Sequence, residues 1–224
     1  MKSQEKLKAV IFGSSGLTGR FLTELLLKDN RYEQLTLFVR REVKVYHGKI
    51  RQIKFEPGKI EQISSEISGD QVFCCLGTTI KKAGTKESFF DTDHNLIVDI
   101  AKSSSKNRIP VFTVISSVGA NPESRSFYLK TKGLTERALQ IFEFECLNIM
   151  RPSMLLGLRH ERRPVEEVGK VIFNSLGFLM IGSLKKYRPI HAETVAKAMI
   201  SAANKYKGIN ILESDKIEVL GTDS

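Results

Sequence analysis

The feature that most constrains this chain is a turn of three glycines, Gly13, Gly16 and Gly19, set directly after the apolar run Lys8 to Phe12. Glycine takes up the backbone angles of a tight turn and lets one stretch of main chain approach another where a Cβ would collide. From Gly16 to Lys28 the apolar residues Leu17, Phe21, Leu25 and Leu26 fall near helical spacing, and Asp29 and Asn30 close the segment. A buried strand, a glycine turn and a helix in that order form a cradle for the pyrophosphate of a dinucleotide. The unpaired N–H groups and the positive dipole end of the helix then face the anion.

The rest of the chain repeats this alternation. Apolar runs at Leu35 to Val39, Ile50 to Phe55, Gln71 to Leu76, Pro110 to Ser116 and Cys146 to Met150 read as strands. Helical spacing lies between them, at Lys86 to Lys102 and Tyr128 to Phe144. Beyond Arg151 and Pro152 the pattern loosens, with helices expected over 165–176 and 192–206 and a last strand over 209–212. The expected fold class is therefore α/β: a doubly wound, mainly parallel Rossmann sheet with helices on both faces and a small C-terminal appendage. At 224 residues the whole chain, 1–224, is expected to form one domain, with 152–224 supplying a short substrate-side region.

The tip of the second strand distinguishes the two nicotinamide dinucleotides. A carboxylate there would bind the adenosine ribose hydroxyls, whereas a guanidinium would meet a 2′-phosphate. The strand ends in Val39, Arg40 and Arg41, with Glu42 only after both arginines, so NADP(H) is the expected cofactor. One of the two arginines is equally well read as part of a solvated loop.

Composition excludes several classes. A net charge of +10 favours anionic partners, but the basic residues are scattered and not interleaved with aromatics, so no nucleic-acid groove is expected. No apolar run is long enough to span a bilayer or to serve as a signal segment, and Cys74, Cys75 and Cys146 have neither disulfide nor zinc spacing. His47, His94, His160 and His191 likewise lack a ligand pattern, so no metal is expected. A cytoplasmic protein, monomeric or homodimeric, follows as the expectation.

After the fifth strand stand Ser116, Ser117, Val118 and Gly119, and eleven residues beyond Ser117 lies Tyr128, with Lys132 four positions later. Residues four apart on a helix share a face. A phenol beside an ammonium can exchange a proton with a carbonyl or alcohol oxygen, because the positive charge stabilises the phenolate. A serine hydroxyl at the strand tip would orient that oxygen. The bland alternative is a helix with one aromatic residue and one solvated lysine.

Together with Leu76 to Thr79, Arg151 to Ser153 and the late Leu212 and Glu213, these residues resemble the atypical branch of the short-chain dehydrogenase/reductase superfamily, close to Tat-interacting proteins and their bacterial relatives. The resemblance implies that Gly13, Ser15, Gly16, Leu17, Thr18 and Gly19 form the pyrophosphate turn and that Arg40 and Arg41 meet the 2′-phosphate. Leu76, Gly77 and Thr78 would line the path from adenosine to nicotinamide. Ser117, with Ser116 as the second choice, Tyr128 and Lys132 would be the catalytic set, with Ser116, Tyr128 and Lys132 also touching cofactor. Pro152 and Ser153 would pack near the nicotinamide. The asparagine that completes a proton relay in many members has only Asn95 as a nearby counterpart, poorly aligned, and it is not carried over.

The resulting expectation is an NADP(H)-dependent oxidoreductase moving hydride between nicotinamide and a small carbonyl or alcohol substrate. The alternative is an NADP(H)-binding regulatory or redox-sensing protein with little turnover and a protein partner, favoured by the short C-terminal region and by regulatory roles in that branch. Two features stand apart. The basic cluster Arg159, His160, Arg162 and Arg163 reads as a solvated loop or a patch for an acidic substrate. The apolar stretch 172–181 reads as core or pocket lid ahead of a dimer face or membrane contact.

Overall fold

The computed structural model describes residues 6–157 and 182–223. The expected helix over 165–176, the basic cluster at 159–163 and the apolar stretch 172–181 lie outside the described residues.

Seven parallel strands form the main sheet: β1 (Leu7–Phe12), β2 (Tyr32–Val39), β3 (Ile50–Lys54), β4 (Gln71–Cys74), β5 (Val111–Ile115), β6 (Cys146–Arg151) and, after a short parallel pair of β7 (Leu155–Leu156) with β8 (Ile190–His191), β9 (Gly208–Glu213). Their spatial order is β3-β2-β1-β4-β5-β6-β9. The chain runs outward from β1 to β3, returns to the other side of β1 at β4, and runs outward again. That reversal between β1 and β4 is where open α/β sheets bind ligands. The expected Rossmann sheet is the observed one.

The helices are α1 (Leu17–Lys28), α2 (Ile80–Ala83), α3 (Lys86–Phe90), α4 (Leu96–Lys106), α5 (Phe127–Leu139), α6 (Ala192–Lys205) and α7 (Ser214–Thr222). Side chains alternate between the sheet faces, and each face is apolar because helices cover both. Ala9, Ile11, Leu35, Leu37 and Phe73 point to the side that holds Leu22 and Leu26 of α1 and Val195 and Met199 of α6. Val10, Phe12, Phe38, Val72 and Phe112 point to the other, against Ile97 and Ile100 of α4 and Leu139 of α5. There the rings of Phe12 and Phe38 stack with centroids 4.5 Å apart.

Three expectations change in detail. The helix expected over Tyr128 to Phe144 ends at Leu139, because the chain turns at Gln140 and returns Phe142 and Phe144 to the core from a loop, Phe144 stacking on Phe112. The fourth strand stops at Cys74, so Leu76 lies in the loop after it. The polar-rich α7 did not show in the sequence pattern and packs on α6.

At the sheet edge where β1 and β4 begin, a buried polar clip joins β2, β4 and α6. The Tyr32 hydroxyl donates to Gln71 Oε1 at 2.7 Å and accepts from Asn204 Nδ2 at 2.9 Å. Burial pushes the Tyr32 phenol up to about 12, with the Asn204 hydrogen bond pulling partly the other way. Below pH 10 this phenol is protonated in both states and its contribution is intact. Between 10 and 12 the unfolded chain ionises first, so that contribution is lost as pH rises. Tyr32→Phe is therefore expected to lower stability by about 1 kcal/mol at pH 7. The gap from wild type should narrow in urea titrations between pH 10 and pH 12; a gap independent of pH would contradict the clip.

Candidate functional site

The glycine turn is built by backbone contact. Gly13 has φ of +81°, and a Cβ on it would stand 2.8 Å from the Cys75 carbonyl carbon and oxygen. A Cβ on Gly19 would stand 2.1 Å from Gly13 O, so α1 rests directly on the end of β1. The Gly16 N–H donates to Gly13 O at 2.9 Å, closing the turn. No side chain caps the N-terminus of α1, and its first turn carries no acidic residue, which leaves donors and dipole facing the cleft. Ser14 Oγ and Thr18 Oγ1 are buried there with no hydrogen-bond partner among the described residues. Glycine cradle, uncapped helix and unpartnered hydroxyls fit a pyrophosphate.

Two adjoining cavities, of about 680 Å³ and about 670 Å³, open along this edge. The first is lined by Ser15, Gly16, Leu17 and Thr18, by Leu76, Gly77 and Thr78, and by Ser116, Ser117, Tyr128, Lys132, Pro152 and Ser153. The second shares Ser15, Gly16, Leu76, Gly77 and Thr78 and adds Gly13, Val39, Arg40, Phe55 and Pro57. Of the residues that the resemblance assigns to the site, the structure thus brings all to this cleft except two. Gly19 lies just behind the turn, and Arg41 is exposed and does not line either cavity. Asn95 is turned away, donating to Asp91 Oδ1 at 2.8 Å in exposed surroundings.

The two serines differ in what holds them. Ser116 Oγ donates to the buried Glu136, whose carboxylate also receives Arg151 Nη2 at 2.5 Å, while Arg151 Nη1 reaches Glu213 Oε1 at 2.9 Å. The proton of Ser116 is thereby committed to Glu136. Among the described residues Ser117 Oγ has only a long contact, 3.4 Å, to Val118 O. Tyr128 packs its ring on Phe89 at 5.5 Å.

Lys132 is 4% exposed and pairs with Asp93, 0% exposed, at 2.7 Å. Burial alone would drive the Lys132 ammonium toward its neutral form, but the Asp93 carboxylate and the Tyr128 phenol raise it further, and the net shift is above the usual lysine range. Asp93 was not foreseen from the sequence. The clue was present, an acidic residue inside the apolar spacing of Phe89, Phe90 and Ile97, but its partner is 39 positions away. Arg20 and Lys82, which also line the first cavity, were not assigned to it from the sequence.

A parallel seven-stranded sheet with a glycine cradle at the β1–β4 reversal and two joined cavities defines a Rossmann-type nucleotide-binding protein. The profile of a family described as NAD(P)H-binding matches residues 13–161, and the chain belongs to that family. Protein HTATIP2 of Rattus norvegicus is 31% identical over 229 residues, covering 100% of this chain and 92% of the relative. Protein FMP52, mitochondrial, of Debaryomyces hansenii is 31% identical over 203 residues, covering 89% and 88%. Among solved structures, Bordetella bronchiseptica WbmH in complex with NAD+ superposes with a TM-score of 0.71 at 15% identity, over 94% of this chain and 76% of that one. MoeE5 in complex with UDP-glucose and NAD gives 0.69 at 14%, over 96% and 81%. The chain is thus one of an oxidoreductase-like, NAD(P)-binding family, as the resemblance implied. The fungal relatives are named mitochondrial, which the cytoplasmic expectation did not anticipate. Among the described residues no helix is long and apolar enough to cross a membrane.

Gly19→Ala tests the cradle. The added methyl group overlaps Gly13 O and α1 must lift from β1, so the variant is expected to lose about 1–3 kcal/mol in urea unfolding. Wild-type stability for Gly19→Ala would show that the close approach does not exist.

Proposed function

We propose that this chain is an NADP(H)-dependent oxidoreductase of the short-chain dehydrogenase/reductase type, acting on a carbonyl or alcohol substrate. The observation that carries this reading is the convergence of Ser117, Tyr128 and Lys132 on the cavity that begins at the glycine turn. When bound, the nicotinamide supplies or accepts the hydride.

The protein's own groups handle the proton and the orientation. In the reductive direction Tyr128 Oη gives its proton to the substrate oxygen, and in the oxidative direction it takes that proton back. The charged Lys132 beside it stabilises the phenolate left behind. Ser117 Oγ, the less engaged of the two serines, donates to the same oxygen and holds it in line. Pro152, buried after β6, and Ser153 would stand at the nicotinamide end, while Gly13 to Thr18 would hold the pyrophosphate.

Arg40 lines the adenosine-side cavity and supports NADP(H) over NAD(H), since a guanidinium forks onto phosphate oxygens. Arg41, which lines neither cavity, is the weaker partner. Arg40→Ala is expected to weaken NADPH about tenfold or more in fluorescence titrations and to leave NADH within about twofold, with Arg41→Ala closer to wild type. Equal losses for NADPH and NADH would remove Arg40 from the 2′-phosphate.

Catalysis is tested with a panel of small aldehydes and ketones. Tyr128→Phe is expected to cut NADPH-dependent turnover by about 100-fold or more while NADPH affinity stays within about twofold. Tight NADPH binding with wild type and Tyr128→Phe alike throughout the panel would instead favour a cofactor-sensing protein.

A further inference from the structure

We propose that Asp93 is the positioning residue of this site, a buried junction that fixes the Lys132 ammonium and the Thr78 backbone in place before any ligand arrives. The inference rests on the oxidoreductase reading only for what the ammonium would then do.

The junction joins three separate pieces of chain. Asp93 Oδ1 pairs with Lys132 Nζ of α5 at 2.7 Å, and Asp93 Oδ2 accepts the Thr78 N–H from the loop after β4 at 2.9 Å. That loop lines both cavities. Gly77 lies directly over the pair: a Cβ there would sit 3.5 Å from Asp93 Oδ1 and 3.6 Å from Lys132 Nζ. With no side chain at 77, the loop lies close over the buried carboxylate and ammonium where they meet the cavity wall.

Local structure is spent on presenting this carboxylate. Asp91–Asn95 is a π-helical turn between α3 and α4. Such turns insert a residue into a helix and change its phase at the cost of hydrogen-bond geometry, and they recur at functional sites. Here the turn is clipped to α5 from the side, because Thr135 Oγ1 donates to Asp93 O at 2.8 Å and lies 3.1 Å from His94 Nδ1. An acidic side chain in a cleft suited to phosphates would repel its ligand unless a cation neutralised it. Lys132 does so. An ammonium buried without a counter-ion would in turn tend to lose its proton. Besides Asp93, the titratable groups acting on Lys132 are Tyr128 on α5 and Cys74 at the end of β4. Of the three, Asp93 is the group in direct contact with the ammonium, at 2.7 Å.

The test uses the full chain with Asp93→Asn and Asp93→Ala, and two readouts. The first is the ¹⁵N chemical shift of Lys132 Nζ against pH without cofactor, which separates ammonium from amine. In the wild type Lys132 is expected to deprotonate after the exposed lysines, and in Asp93→Asn at least about one pH unit earlier than in the wild type. The second is NADPH affinity, expected to fall about tenfold in Asp93→Asn, where the ammonium is released, and further in Asp93→Ala, which also frees Thr78. A purely structural ion pair would move stability and leave affinity unchanged once both charges are removed. Asp93→Asn/Lys132→Met is therefore expected to regain stability over Asp93→Asn while its NADPH affinity stays low. Unchanged Lys132 titration in Asp93→Asn, or wild-type NADPH affinity in either single variant, overturns the proposal. Should the variants not fold, a wild-type Lys132 that deprotonates before the exposed lysines overturns it as well. A wild type that binds neither NADPH nor NADH would refute the cofactor reading, whereas the Lys132 titration would still decide the role of Asp93.

Discussion

In a sheet whose strands all run parallel, hydrogen-bonded register decides where every loop beyond a carboxyl end leaves the sheet. Phe12 lies beside Cys74, Cys74 beside Val114, and Ile115 beside Met150. The ladder then runs one bond further into the loops: Cys75 N–H donates to Phe12 O at 2.9 Å and Ser116 N–H to Met150 O at 2.7 Å. Gly13, Cys75, Ser116 and Arg151 therefore emerge side by side, held by the same bonds that make the sheet. Residues scattered over about two thirds of the sequence meet at one edge because the pairing allows no other exit. Slipping one strand by a residue would turn its core side chains to the opposite face and carry its loop away from the cleft.

On that edge the chain buries more charge than a core requires. Asp93 is paired with Lys132, and Glu136, one helical turn after Lys132 on α5, is paired with Arg151, which also reaches Glu213. Buried ion pairs contribute little net stability, since desolvation offsets most of the attraction, but removing one partner leaves the other uncompensated. Their value here is geometric. Each pair joins separate elements, the first tying α5 to the π-helical turn before α4, and through Thr78 N–H to the loop after β4, and the second tying α5 to β6 and β9. Between them α5 is fixed in rotation, and with it the direction in which Tyr128 and Lys132 face. Gly133 serves the same end without charge, since a Cβ there would lie 2.2 Å from the backbone of Asn121 and Pro122. The loop after β5 thus rests directly on the helix that carries Tyr128.

What the sequence made legible follows from how local each signal is. Buried strands such as β1 and β2 end in nearly continuous apolar runs, and the glycine turn announces its own backbone geometry, so the fold class and the turn could be read from neighbours alone. Phe142 and Phe144 misled because they extend the apolar spacing of α5 although they reach the core from a turn. The chain after Glu213 escaped notice because Ser214, Asp215 and Lys216 open a short helix whose buried residues, Ile217 and Gly221, are too few to set a period. Arg40 and Arg41 look equivalent in sequence and part only when the end of β2 directs one toward a cavity. Asp93 is the furthest from legible: nothing in its neighbourhood indicates that Lys132 and Thr78 converge on it from two other elements.

The same distinction separates what this chain shares from what it sets for itself. Superposition on NAD-bound proteins at 14–15% identity is a likeness of backbone, carried by parallel pairing and a helix seated close against β1. Those requirements fix where a dinucleotide would lie and leave the chemistry open, since one fold hosts many reactions. What the cavity can do chemically is decided by the side chains that the strand-end loops and α5 place around it. In this chain that choice includes a π-helical turn, which gives up regular hydrogen bonding to bring one carboxylate under Gly77. A helix needs no such departure in order to pack. Its physical rationale lies in the ammonium it faces, which must stay charged while buried if it is to act on the phenol of Tyr128.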